Sequence, residues 1–215
     1  MSTTEDPIRL HLGCGSTVVA GWVNVDRSPN VHLARLPVLK KALGRLHVLT
    51  AAQTEAQFPS GIVRIDVTKG LPFPDGSVEY AYSSHMIEHL SRWQGLALGR
   101  EIRRVLAPGG VVRFNTPDLA AIVAEYSRTG DGDWLMQALG TFKEEPGSVV
   151  QRFVRRALSA SAHQWLYDER SLAALLVESG LDEPTRRSYR EGACPDLELL
   201  EVRSEGQYME ATKLA

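Results

Sequence analysis

A doubly wound α/β fold is predicted for this chain: a mostly parallel seven-stranded sheet with an antiparallel hairpin at one edge and a small helical cap. Three observations lead there. Apolar strand-like runs alternate with segments of helical periodicity. A Gly-Cys-Gly turn directly follows the first run. Acids stand at the ends of the second and third runs, at Asp26 and Asp66. Ligands of such sheets lie outside the carboxyl ends of the parallel strands, which places Asp26, Asp66 and Ser84 along one edge.

The first strand is expected at Ile8 to Leu12, where Ile8, Leu10 and Leu12 alternate with Arg9 and His11. Gly13 and Gly15 then let the backbone turn without a Cβ. A second strand runs from Trp22 to Val25 and ends at Asp26, an acceptor suited to both hydroxyls of a ribose. Too few residues separate these strands for a normal crossover helix. From Val31 to Thr50, Leu33, Leu36, Leu39, Leu43 and Leu46 with interleaved Arg and Lys predict an amphipathic basic helix, with Pro37 near its first turn. That helix suits either a surface element or a lid facing an acidic or membrane-linked acceptor.

Ile62 to Val67 reads as the third strand and Glu79 to Ser83 as the fourth, with a Pro/Gly turn between them. Helical spacing continues from Met86 to Leu106 and stops at Ala107-Pro108-Gly109-Gly110. Val111 to Asn115 is the fifth strand, and Leu119 to Ser127 a helix. Two short helices around a Glu-Pro-Gly loop follow as an inserted cap. Ser171 to Ser179 is a helix that Asp168 or Ser171 can cap and Gly180 can stop. Strands at Thr185 to Arg190 and Gln207 to Thr212 form the edge hairpin.

At 215 residues, 43% hydrophobic and 23% charged, the chain suits one domain over 1–215, with cap insertions near 31–50 and 129–162. A net charge of -2 and a pI near 6.3 give no general attraction to phosphate backbones, so no nucleic-acid partner is expected. Cys14 and Cys194 make neither a disulfide framework nor a four-ligand metal site, which suits a reducing cytoplasm. The polar start MSTTEDP does not resemble a signal peptide, and no stretch approaches a membrane span. Peripheral membrane contact through 33–49 is left open, as is the choice between monomer and homodimer.

The glycine turn, the two strand-end acids, LPFPDGSVE, HMIEHL and EIRRVLAPGG stand in the order seen in the class I S-adenosylmethionine-dependent methyltransferases. Over residues 8 to about 180 the chain resembles that family, in particular a compact bacterial group with a short first crossover. The resemblance implies S-adenosyl-L-methionine as cofactor and S-adenosyl-L-homocysteine as product. It assigns the glycine loop, Gly13, Cys14 and Gly15, to the methionine part. Asp26 falls to the ribose and Asp66 with Val67 to the adenine, while Ser84 is counted with the cofactor residues by its place at a strand end. The chain departs from the glycine-rich dinucleotide pattern at Val18, and Asp26 follows the turn much sooner than about 20 residues, which disfavours NAD.

Methyl transfer to a hydroxyl needs an acceptor held in line with the methyl and a group to take its proton. His85, directly after the fourth strand, is the first choice for that base, with Glu88 and His89 one turn on. His163, near Tyr167 and Asp168, is the second. His85-Met-Ile-Glu-His89 also matches an inverted zinc-protease pattern. That chemistry needs a third ligand on a neighbouring helix and a peptide cleft, whereas here the motif follows a strand in the methyltransferase order, so no metal ligands are assigned, although Asp118 or Asp168 could hold a cation that positions a diol. The expected function is O-methylation of a small or saccharide-like acceptor, the saccharide preference coming from the resemblance. The alternative is a non-catalytic module that retains the cofactor fold as a partner or regulator.

Overall fold

The computed structural model describes residues 7–28, 31, 33, 36–46, 49, 54–55, 59–141 and 162–214. Six strands form a mixed sheet: β1 (Ile8–Leu12), β2 (Val23–Val25), β3 (Val78–Ser84), β4 (Leu106–Thr116), β5 (Asp182–Arg187) and β6 (Gln207–Thr212). Their order is β2-β1-β3-β4-β6-β5. β2, β1, β3 and β4 are parallel, and β6 runs antiparallel to both β4 and β5. The α/β class and the antiparallel edge are therefore as predicted.

The expected third strand is the exception. Ile62 to Val67 contributes a single parallel bridge, Val63 to Val25, held by Val63 N–H to the Asn24 carbonyl and Asp26 N–H to the Val63 carbonyl. β2 is only three residues long and offers little edge. Beyond it the Asp66 side chain accepts from the Thr68 amide and winds Val67–Lys69 into a 3-10 turn. Six strands and a bridge thus stand where seven strands were expected.

Alternation along the strands supplies two cores. On one face Leu10, Leu12, Ala81, Val112 and Phe114 pack against α2 (Arg92–Val105) and α5 (Glu169–Glu178) through Leu98, Ile102, Leu172 and Leu176. On the other, Tyr82 packs with Val19, Trp22, Cys194, Leu197 and Leu200, the last two on the short helix α6 (Leu197–Leu200). Although helical spacing runs on from Met86, α2 begins only at Arg92. Ser91 accepts from the Gln94 amide while the Gln94 side chain accepts from the Ser91 amide, a capping box that restarts the chain after a 3-10 turn at Ile87–His89. Asp168 and Ser171 cap α5 reciprocally in the same way, so both expected caps are used.

Between Val31 and Thr50 the described helix is α1, Pro37–Arg45, with Pro37 at its first position. None of its residues is buried, and Leu36, Val38, Leu39 and Leu46 are exposed. Among the described residues of this stretch Val31, Leu33 and Leu49, outside the helix, are the buried ones. The predicted apolar stripe therefore does not pack as one face. α3 (Leu119–Thr129) is capped by Asp118, and α4 (Gly132–Leu139) follows. The expected Glu-Pro-Gly loop of the cap lies outside the described residues. β6 has the predicted bounds. β5 starts and ends three residues early, because the Ser188 carbonyl and Arg190 amide turn inward to Arg113 and Glu201. Among the described residues no helix is long and apolar enough to cross a membrane.

Candidate active site

Strand order brings the predicted residues together. The turn after β1 lies between the end of β2, which carries Asp26, and the end of β3, which carries Ser84 and leads into His85. Gly13 has φ 66, and a Cβ there would meet Met86 Cγ at 2.5 Å. The glycine turn and the segment that follows His85 therefore touch, and only glycine permits it.

Asp26 is fixed by backbone. Its Oδ2 accepts from Gly15 N–H at 2.9 Å and its Oδ1 from Ser28 N–H at 2.5 Å. Each oxygen keeps lone-pair capacity for a ribose hydroxyl. A Cβ placed on Gly15 would meet nothing within 4 Å, so space is open beside the turn where a ligand backbone could lie. The Cys14 amide and carbonyl are both spent internally, on the Val25 carbonyl and the Thr17 amide. Cys14 is buried, and desolvation, with Asp26 nearby, pushes its thiol up to about 12, so it shapes the turn and is no nucleophile.

Asn24 takes over the work of the absent crossover helix, a role its sequence did not signal beyond being polar in an apolar strand. Its Nδ2 donates to the carbonyls of Val19 and Trp22, and its Oδ1 accepts from Val19 N–H and from His11 Nδ1–H. Four hydrogen bonds from one buried amide thus hold the 15–22 loop against β1 and β2. His11 is buried, and desolvation lowers its pKa to about 4 despite the Asn24 bond, so it stays neutral at pH 7.

Asp66 caps the 3-10 turn, accepting from the Thr68 hydroxyl at 2.7 Å, and pairs with Arg27 at 3.2 Å. Partial burial works against its charge, but the Thr68 bonds and Arg27 outweigh it and hold the carboxyl below its ordinary value. Val67 begins the turn, and Arg27 is a partner that sequence reasoning missed. Ser84 Oγ accepts from Asn115 Nδ2 at 3.3 Å and also bonds with the Tyr82 hydroxyl.

His85 has φ 49, a left-handed conformation uncommon for a side chain of its size, and its amide donates to the Asn115 carbonyl. Its Nδ1 lies 3.2 Å from Glu88 Oε1, and Glu88 is wholly buried. His163, distant in sequence, comes to the same place. Gln164 N–H donates to the Glu88 carbonyl at 2.7 Å, and Gln164 Nε2 to the His89 carbonyl at 2.8 Å. The His89 and His163 rings stand 4.9 Å apart at 58°. His163 thus joins Glu88 and His89, but it lies on no helix and His85 is not part of that group, so the inverted zinc-protease pattern itself is not completed. Asp118 and Asp168 are occupied instead as helix caps, with Arg186 also pairing to Asp118.

Residues 10–114 match the model of a methyltransferase domain family. A protein of Mycolicibacterium smegmatis named a probable S-adenosylmethionine-dependent methyltransferase is 38% identical over 73 residues. The match covers 32% of this chain and 26% of that protein, so about a quarter of that relative's length is spanned. A structure of a S-adenosylmethionine-dependent methyltransferase from Methanosarcina mazei superposes with TM-score 0.53 at 16% identity, covering 98% of this chain and 94% of the other. A Haloferax volcanii methyltransferase solved with the Trm112 activator gives 0.50 at 15%, covering 100% and 85%. At such identities the likeness is one of fold.

Proposed function

Because the chain carries the methyltransferase domain over residues 10–114 and has the fold of the class I S-adenosylmethionine-dependent methyltransferases, we propose that it methylates a hydroxyl of a small or saccharide-like acceptor. The observation that carries this reading is the placement of the Gly13–Gly15 turn between Asp26 and His85, with Gly13 against Met86. Asp26 takes the ribose hydroxyls, and Asp66 with Val67 bounds the adenine end. The turn supplies room for the methionine part, and Ser84 a hydroxyl on the same edge.

S-adenosylmethionine, when bound, would supply an electrophilic sulfonium methyl whose leaving group is the neutral thioether. The chain's own contribution is position and proton transfer. His85 stands where the parallel strands end, its Nδ1 3.2 Å from the buried Glu88 carboxylate, and its Nε2 takes the acceptor's proton as the oxygen–methyl bond forms. His163, the second choice for the base, donates Nδ1–H to the Leu139 carbonyl at 2.8 Å, which supports a positioning role in its place.

Calorimetry is expected to show one S-adenosylhomocysteine site per chain, weakened about 100-fold, or roughly 2.7 kcal/mol, in Asp26→Ala. With an acceptor found by a labelled-methyl screen of sugars and small phenols, His85→Ala is expected to lower kcat at least about 100-fold. Its S-adenosylhomocysteine affinity should stay within about twofold. No binding by the wild type would overturn the methyltransferase reading. Unchanged turnover in His85→Ala would remove the base from that residue.

A further inference from the structure

We propose that Glu88, His89 and His163 form a binding site for one divalent cation of the zinc type. One ligand atom from each of these side chains lies within 4.8 Å of the other two. Three atoms at that limit surround a point about 2.8 Å from each, against about 2.1 Å in a zinc site, so a shift of well under 1 Å per side chain closes the shell. The ligand set, two imidazoles and one carboxylate, suits zinc and leaves at least one coordination position open.

Two independent features point to an ion at this place. Glu88 is fully buried, and neither of its oxygens accepts a well-formed hydrogen bond among the described residues. A carboxylate taken out of water without a partner is costly, and a cation would satisfy it. One oxygen can hold the ion while Oε1 faces His85 Nδ1 at 3.2 Å. The second feature is the seating of His163. Its Nδ1–H is donated to the Leu139 carbonyl, which leaves Nε2 unprotonated. Metal-bound histidines are oriented in this way by a carbonyl behind the ring. The ring also rests on Gly140, where φ is 60 and any Cβ would collide with it, while His163 N–H donates to the Gly140 carbonyl at 2.9 Å. The end of α4 and the 163–165 segment together fix one imidazole edge beside Glu88.

An acceptor hydroxyl bound at the open position would give up its proton more readily. That use rests on the methyl-transfer reading, whereas the cation site does not.

The test uses the full chain stripped with a chelator and titrated with Zn²⁺ in the calorimeter, with Co²⁺ absorption to report nitrogen and oxygen ligands. One Zn²⁺ per chain is expected. Binding should weaken about 100-fold or more in Glu88→Gln and in His163→Gln, since even outer-shell changes cost roughly 10–100-fold. S-adenosylhomocysteine affinity within about twofold of wild type certifies the fold of each variant. Should one variant misfold, the other carries the comparison. Less than about a tenth of an equivalent bound by the wild type, or unchanged binding in the folded variants, would overturn the cation site. Zinc binding without any S-adenosylhomocysteine binding would overturn the methyl-transfer reading and leave the cation site standing. The reverse result would do the opposite.

Discussion

Two regions bury carboxylates, and they treat them in opposite ways. Beside the antiparallel edge, Glu201 and Glu210 enclose Arg113, all three side chains almost completely out of solvent. Arg113 Nε donates to Glu201 at 2.5 Å, Nη1 to Glu210 at 3.1 Å and to the Glu191 carbonyl, and Nη2 to the Ser188 carbonyl. The remaining carboxylate capacity is filled by the amides of Arg190, Ala193 and Cys194 and by Arg187 Nε. Around Glu88, on the parallel side, the burial is as deep but among the described residues the bonding is left open, with His85 Nε2 and the Tyr167 hydroxyl also unmatched. A buried network in which every nitrogen and oxygen has a partner ties the edge strands together. One with valences to spare, where the strand ends meet, is built to receive something else.

The largest effect should come from breaking the filled network. Arg113→Ala leaves two buried carboxylates without their cation and is expected to lower the unfolding free energy by about 3–5 kcal/mol, read from urea denaturation. A loss below about 1 kcal/mol would dissolve the contrast between the two regions.

His11 is an intermediate case, buried and bonded but neutral. Its pKa is about 4 in the fold against 6.5 when unfolded, so the unfolded chain binds the extra proton first. The associated stability is present above pH 6.5 and is lost as pH falls toward 4, by about 3 kcal/mol in all. Denaturation at pH 7 and pH 4.5 should show a shallower acid loss in His11→Gln than in the wild type. Equal losses would mean that His11 is hydrated in solution.

The smallest effect is expected where the open network is neutralised. In chelator-treated protein Glu88→Gln should change stability by less than about 1 kcal/mol, or raise it, because no described residue makes a full bond to the carboxylate that is removed. A loss as large as that of Arg113→Ala would show Glu88 to be structural.

Much of this was legible in the sequence, because its signals were local. Alternation gave β1, turn-flanked β-formers gave β6, and Asp168 with Ser171 announced α5. Asp26, expected at the end of the second strand, stands directly after β2. What escaped depended on partners. Ile62 to Val67 has strand composition, but the strand it must pair with is three residues long. Met86 to Leu106 keeps helical spacing, yet one capping box divides it. The leucines of α1 repeat at helical intervals without finding a surface to bury them. His163 joins Glu88 and His89 only through the folding of a distant segment, which no spacing rule encodes. Asn24 was overlooked because a single polar residue in a strand does not reveal how many groups it will serve.

The direct passage from β1 to β2 also bears on how the chain folds. Leu10 pairs with Val23, so the loop to be closed is 13 residues long (23 minus 10), where a crossover unit usually takes about 30. Loop-closure entropy favours the shorter link by about 0.7 kcal/mol. This makes β1 and β2 the most local of the parallel pairs and a natural early partnership during folding. On the proposed reading of the site, its Asp26 end would then be assembled before the segments that bring His85 and His163 to the sheet.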